Sequence, residues 1–176
     1  MRSRAESPRV VLLCLILAIG LPATGCARHA RTRDWTQPTV QSEAEAVQAV
    51  LESHDQLVRA YEAHNVEIFT SLLEPSPDLL IFHPMIKSRF DDLGKVERGL
   101  TRMFRRLGDA KWTVVDPVVV VHGDVAWLTA NIMVDSPMLP VPFVGRGTEI
   151  WVRRDGAWRL IHAHWSENPE MHFDEL

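Results

Sequence analysis

Asp155-Gly156 separates two long runs rich in β-branched and aromatic residues, Val141 to Arg153 and Ala157 to Ser166. Both turn residues tolerate positive φ, as a two-residue hairpin demands, so this dipeptide is the strongest short hairpin signal in the chain. With a two-residue turn, Arg154 pairs with Ala157 and paired residue numbers sum to 311. Trp151 then falls opposite Leu160, Glu149 opposite His162 and Gly147 opposite His164. Side chains alternate, so Trp151, Glu149, Trp158, Leu160, His162, His164 and Ser166 are expected on one face. Val152, Ile150, Thr148, Ile161, Ala163 and Trp165 take the other. Both faces are substantially apolar, whereas a sheet with one solvated face alternates more cleanly. Helices can cover one side, and a second subunit is expected on the other.

The rest of the chain supplies those helices. Val47, Val50, Leu51, His54, Leu57, Val58 and Tyr61 recur at three- and four-residue spacing, which predicts a helix over Ser42 to His64 opened by a Ser42/Glu45 capping box. Asn65 caps a short second helix that Pro75 and Pro77 stop. Asp78 to His83 reads as a buried strand. A third helix runs from about Leu93 to Leu107 with Gly108 as its stop. Its Arg98, Arg102, Arg105 and Arg106 lie opposite the apolar stripe and read as a solvated face, with a binding patch the lesser reading. Trp112 to Val121 and Val125 to Asp135 form a further hairpin around His122-Gly123-Asp124. Helices followed by a meander of long antiparallel strands make the fold class α+β.

The N-terminus reads as a targeting segment. Arg2, Arg4 and Arg9 precede an uncharged run from Val10 to Leu21, the proportions of a secretory signal and short for a membrane span. Ala23-Thr24-Gly25-Cys26 resembles a bacterial lipoprotein cleavage box, with the lipid carried on Cys26. Ordinary signal-peptidase cleavage nearby is the rival reading. The expected organisation is a signal over 1–25, a lipid-anchored polar tether over 26–42, one domain over 43–169 and a tail over 170–176. The location expected is the cell envelope, by analogy the periplasmic face of the outer membrane. Of the two cysteines, Cys14 leaves with the signal and Cys26 is blocked, which excludes disulfides, thiolate metal sites and cysteine nucleophiles. The whole chain has 19 basic and 23 acidic residues; without the signal 16 and 22 remain, a balance that disfavours nucleic acid as a partner.

Glu149, His162 and His164 place three ionisable groups on a face otherwise made of Trp and Leu. Burying them is costly unless they pair, and a cross-strand Glu–His pair would raise the histidine pKa. A ligand pocket with a polar end and a structural network closing the sheet both fit.

The run Trp151-x-x-Arg154-Asp155-Gly156-x-Trp158-x-x-Ile161-His162-x-His164-x-Ser166-x-x-Pro169 resembles the ending of the nuclear transport factor 2-like superfamily. SnoaL-like domains and the association domain of calcium/calmodulin-dependent protein kinase II end in a similar way. Ser76-Pro77-Asp78-Leu79-Leu80-Ile81 is similar to the SnoaL-like first strand. The resemblance implies a curved antiparallel sheet wrapped as a cone around a long N-terminal helix, with a pocket at the wide end. It also implies dimers or rings built through the outer face. Where the kinase domain carries pocket arginines, this chain has Asn131 and Glu149, so a ligand carboxylate would be poorly served.

Four functions follow as expectations. The first is a non-catalytic module that binds a small molecule through His83, Asn131, Glu149, His162 and His164, with Tyr61, Trp112 and Trp127 as apolar wall. The second is an isomerase- or dehydratase-type enzyme with His162 or His164 as general base oriented by Glu149. The third is a metal site on His162-x-His164 and Glu149, a weaker reading than hydrogen-bonded structure, so no metal or other cofactor is expected. The fourth is an oligomeric hub without a ligand.

Overall fold

Ser42 and Glu45 open the first helix reciprocally. The Ser42 hydroxyl accepts from the Glu45 N–H at 3.3 Å, and the Glu45 carboxylate accepts from the Ser42 N–H at 2.9 Å. Helix α1 (Glu43–Glu62) then buries Ala46, Val50, His54, Leu57, Val58, Ala60 and Tyr61. It stops short of His64 because that residue takes φ 54°, and Asn65 caps α2 (Val66–Ser71) by accepting from the Ile68 N–H at 2.9 Å. The computed structural model describes residues 42–84, 86 and 89–168. Expectations for residues 1–41, including Cys26, and for Pro169 and the tail 170–176 lie outside them. The remaining elements are β1 (Leu80–Phe82), α3 (Leu93–Leu107), β2 (Lys111–His122), β3 (Val125–Asp135), β4 (Phe143–Arg154) and β5 (Ala157–Glu167).

The five strands form one sheet in the order β1-β5-β4-β3-β2. The β2–β3 and β4–β5 turns have two residues each, and a seven-residue loop, 136–142, joins β3 to β4. Asp155 and Gly156 take φ 51° and 81°, positive at both positions as a type I′ turn requires, and Gly123 takes 58° at the first position of its own. The four long strands are antiparallel, but β1 runs parallel to β5, with Leu80 beside His162 and Phe82 beside His164. The sheet is therefore mixed rather than wholly antiparallel. The intervening chain, with α3 and the whole meander, is long enough to return β5 to β1 in the same direction.

Burial along β3 alternates: Ala126, Leu128, Ala130, Ile132 and Val134 face the helices. Val96, Leu100, Met103, Phe104 and Leu107 of α3 join the same core as Val50, Leu57 and Tyr61 of α1. In β2 the register slips by one residue between Val115 and Val118, at Asp116-Pro117. Asp116 has φ 50° and Pro117 has no N–H to offer a ladder, so a bulge is where this dipeptide fits.

A second bulge corrects the expected register. Pairing follows the predicted sum from Arg154↔Ala157 to Trp151↔Leu160, then jumps to Ile150↔His162, Glu149↔Ala163, Thr148↔His164 and Gly147↔Trp165. Ile161 is the extra residue. One residue of slip exchanges faces, so Ala163 and Trp165 turn inward with Glu149 while His162 and His164 turn outward. Burying a Trp removes about 150–250 Å² from water, worth roughly 4–6 kcal/mol. A bulge gives up about one ladder hydrogen bond, worth roughly 1 kcal/mol. Burial of Trp165 therefore decides the register.

Candidate functional site

Glu149 is only 1% exposed, and three donors converge on it. Its Oε2 accepts from the Trp151 indole N–H at 3.0 Å, and its Oε1 accepts from the Trp165 indole N–H at 3.2 Å. His54 Nδ1, on α1, lies 2.9 Å from Oε2. Burial draws the His54 pKa down, but the charge and hydrogen bond of Glu149 outweigh that and leave it raised above the ordinary histidine value. The carboxylate thus ties α1 to two strands of the sheet, and its lone pairs are committed to the protein. This is the Glu–His pair that the sequence anticipates, with a different histidine.

Beside this network lies an aromatic chamber. Tyr61, His83, Trp112 and Trp165 line two adjoining cavities of about 10 Å³ each, room for about one water apiece. One is completed by Pro84, Ile132, Val134 and Phe143, the other by Phe69, Ile81, Phe90, Val96 and Leu100. Trp112 packs edge-on against Tyr61 at 4.8 Å and against Trp165 at 5.5 Å between ring centroids. The buried indole N–H of Trp112 has no hydrogen-bond acceptor among the described residues. Among the described residues the Tyr61 hydroxyl reaches only the Met103 sulfur, at 3.9 Å, and burial raises its pKa above that of a free phenol. Burial also pushes His83 down to about 4, so its imidazole is neutral at physiological pH.

His83 and Trp165 cross edge-to-face at 5.8 Å and separate the chamber from an open groove. That groove, about 420 Å³, is lined by Phe82, His83, Pro84, Ile86, Arg89, His164, Trp165, Ser166 and Glu167. The charged and hydroxyl-bearing groups, Arg89, Ser166 and Glu167, stand outside the pair of rings.

The structure divides the anticipated site residues into three groups. Tyr61, His83 and Trp112 are brought together in the chamber. Glu149 is buried and committed to its own donors. His162, His164, Asn131 and Trp127 share the outer face of the sheet, and of these only His164 reaches the groove. Phe82 packs against both His162 and His164, at 6.1 and 5.5 Å. The anticipated set of His162, His164 and Glu149 is therefore split between the two faces, so these residues neither orient one another nor converge on a metal. Trp165, Phe143, Arg89 and His54 are site or network residues that sequence reasoning missed. His54 carried a signal, since it sits on the apolar stripe of α1, and an ionisable group there needs a buried partner.

A family model described as the SnoaL-like domain matches residues 50–169. Among solved structures, the chain is similar to a candidate dehydratase of the nuclear transport factor 2-like family from Streptomyces avermitilis. Identity there is 21%, the match covers 71% of this chain and 97% of that one, and the TM-score is 0.65. A nuclear transport factor 2-like superfamily protein from Salmonella enterica matches at 16% identity over 76% of this chain and 98% of that one, TM-score 0.65. A candidate calcium/calmodulin-dependent protein kinase II association domain from Thiobacillus denitrificans matches at 18% identity over 66% and 92%, TM-score 0.58. At these identities the likeness is one of fold.

Proposed function

Because this chain belongs to the SnoaL-like domain family, we propose that it is a non-catalytic binding module that takes a small, largely apolar molecule into the chamber between α1, α3 and the sheet. The observation that carries this reading is the Trp112 N–H, a buried donor with no acceptor among the described residues, in a chamber otherwise walled by aromatic rings. An unmet buried donor costs about 1–3 kcal/mol, so a ligand bearing one acceptor atom recovers what the free protein forgoes. The cavities hold about one water each, so entry requires the chamber to widen at His83, which lines both the chamber and the groove. Acid–base catalysis is less well served. His83 at about 4 is a weak base at neutral pH, and Glu149 orients His54, whose Nε2 is itself buried, instead of His162 or His164.

The module would be held at the envelope through a lipid on Cys26 and would pair with a second copy through its outer face. Incorporation of labelled palmitate that Cys26→Ser abolishes tests the first of these. A thermal-shift screen of neutral aromatic and alicyclic compounds tests the binding reading. A hit is expected to raise the melting temperature of the native protein and to lose at least half that shift in Trp112→Phe, which leaves an aromatic ring in place and removes the N–H donor. Hits indifferent to both Trp112→Phe and Tyr61→Phe would place the site elsewhere.

A further inference from the structure

The outward face of α3 carries a charge pattern that core packing does not explain. Arg98, Arg102, Arg105 and Arg106 are all exposed. At 100° per residue they span an arc of about 100° along the helix, opposite the buried Val96, Leu100, Met103 and Leu107. None of the four has an ion pair among the described residues, whereas Arg59 pairs with Asp55, Lys95 with Asp91 and Arg153 with Asp124. Only Glu97 and Asp109 are exposed acids beside them in residues 96–111. This concentration occurs in a chain whose formal net charge is -4. A solvated helix would be expected to intersperse both signs.

We propose that this face of α3 docks on an anionic phospholipid surface and orients the domain on the membrane. Charge complementarity names the occupant, and the length of the preceding chain makes the docking reachable. Fifteen residues separate Cys26 from Ser42. Fully extended they reach about 50 Å, more than the roughly 30 Å length of the 20-residue α1. A domain tethered at Cys26 can therefore lay any of its faces on the bilayer. The inward residues Val96 and Leu100 of the same helix line the proposed chamber, so docking would hold that chamber within about one helix diameter of the lipid. The orienting role rests on the anchoring proposed above, but the electrostatic face does not and is tested without it.

Solved relatives made almost entirely of this fold, with 97% and 98% of their chains matched, indicate that residues 42–176 can be studied alone. Flotation of that fragment would be measured with millimolar vesicles of phosphatidylcholine, pure or mixed with phosphatidylglycerol. Binding only to the mixed vesicles, lost at 0.5 M salt, is expected. Each arginine should contribute roughly a factor of five in partitioning, so Arg98→Gln with Arg102→Gln and Arg105→Gln should weaken it about a hundredfold. The corresponding triple lysine variant should stay within about twofold. Circular dichroism identical to the parent shows that the variants fold, and a variant that fails this check is replaced by Arg102→Gln with Arg106→Gln. Equal binding to both vesicle types, or binding unchanged by the glutamines, would overturn the proposal. So would loss in the lysine variant, competition by inorganic phosphate beyond its ionic strength, or tighter binding to a single-stranded oligonucleotide. Palmitate labelling at Cys26 separately reports failure of the anchor.

Discussion

Glu149 shows how one residue can hold a fold while looking like a functional group. Replacing it with glutamine leaves one oxygen and one NH₂ where three donors converge. Whichever way the amide turns, its NH₂ faces an indole N–H, from Trp151 at Oε2 or from Trp165 at Oε1. Glu149→Gln should therefore cost roughly 3 kcal/mol, in the range for breaking a buried pair. Urea unfolding would show this as a lower midpoint, and a loss below about 1 kcal/mol would mean the network is dispensable. The two inner histidines give opposite pH signatures. His54 has a raised pKa, so its contribution is full below 6.5 and fades as pH rises through the folded value. His83 is lowered to about 4, so its contribution is full above 6.5 and is lost as pH falls toward 4. Stability should thus peak near pH 6.5. In His54→Gln the decline on the alkaline side should shrink, and in His83→Gln that on the acid side. A profile unchanged by both substitutions would contradict these assignments.

Among the elements, the β4–β5 hairpin best shows what the sequence could and could not specify. Its turn, its strand limits and the first four pairs are legible from Asp155-Gly156, because a two-residue turn fixes register locally. Beyond Trp151 the expectation fails, since turn geometry carries no information about a bulge five residues away. The clue was spacing: Leu160 and Ala163 lie three apart, and only an extra residue lets both face inward. The same slip removed His162 and His164 from the expected pocket, so the fold was far more readable than the site. Tyr61 and Trp112 were legible as apolar wall, and His83 as a lining group, because they sit at element ends or on inward-facing positions, whereas Trp127, expected with them, lies on the outer face. Trp165 was missed because its face was inverted. Gly147 now lies opposite Trp165, and a Cβ there would stand 2.8 Å from the indole Cδ1. Gly147→Ala should push that ring off Glu149 and cost about 1–3 kcal/mol, visible as a lower melting temperature and altered tryptophan fluorescence. Unchanged fluorescence and stability would show that Trp165 has slack the packing does not suggest.

For the whole molecule, the outer face of the sheet is the open question, and its chemistry makes a definite prediction. Phe82, Val118 and Trp127 are exposed there, with Ile150 between them, an apolar surface that a monomer would leave in water. A two-fold pairing of this face covers it with itself. Such an interface also meets the titratable groups on that face. His162 lies beside Leu80 of β1, His164 beside Phe82, and Arg146 projects from β4; β3 adds the neutral Trp127, Thr129, Asn131 and Met133 and the exposed Asp135, which pairs in register with Lys111 of β2, and His122 of β2 packs on Trp127 at 5.4 Å. Burial, with the nearby His164 adding to it, already lowers the His162 pKa, and a second copy would bury it further. Association should then favour the neutral His162 imidazole, strengthening above pH 6.5 and weakening as pH falls and the imidazolium faces its symmetry mate. Light scattering at micromolar concentration should give a dimer at pH 7.5 and a shift toward monomer at pH 5.5. Trp127→Asp should abolish the dimer at both, with little loss of domain stability because the side chain is already exposed. A monomer at pH 7.5 would remove self-association from the function proposed here. A dimer indifferent to Trp127→Asp would move the interface to another face.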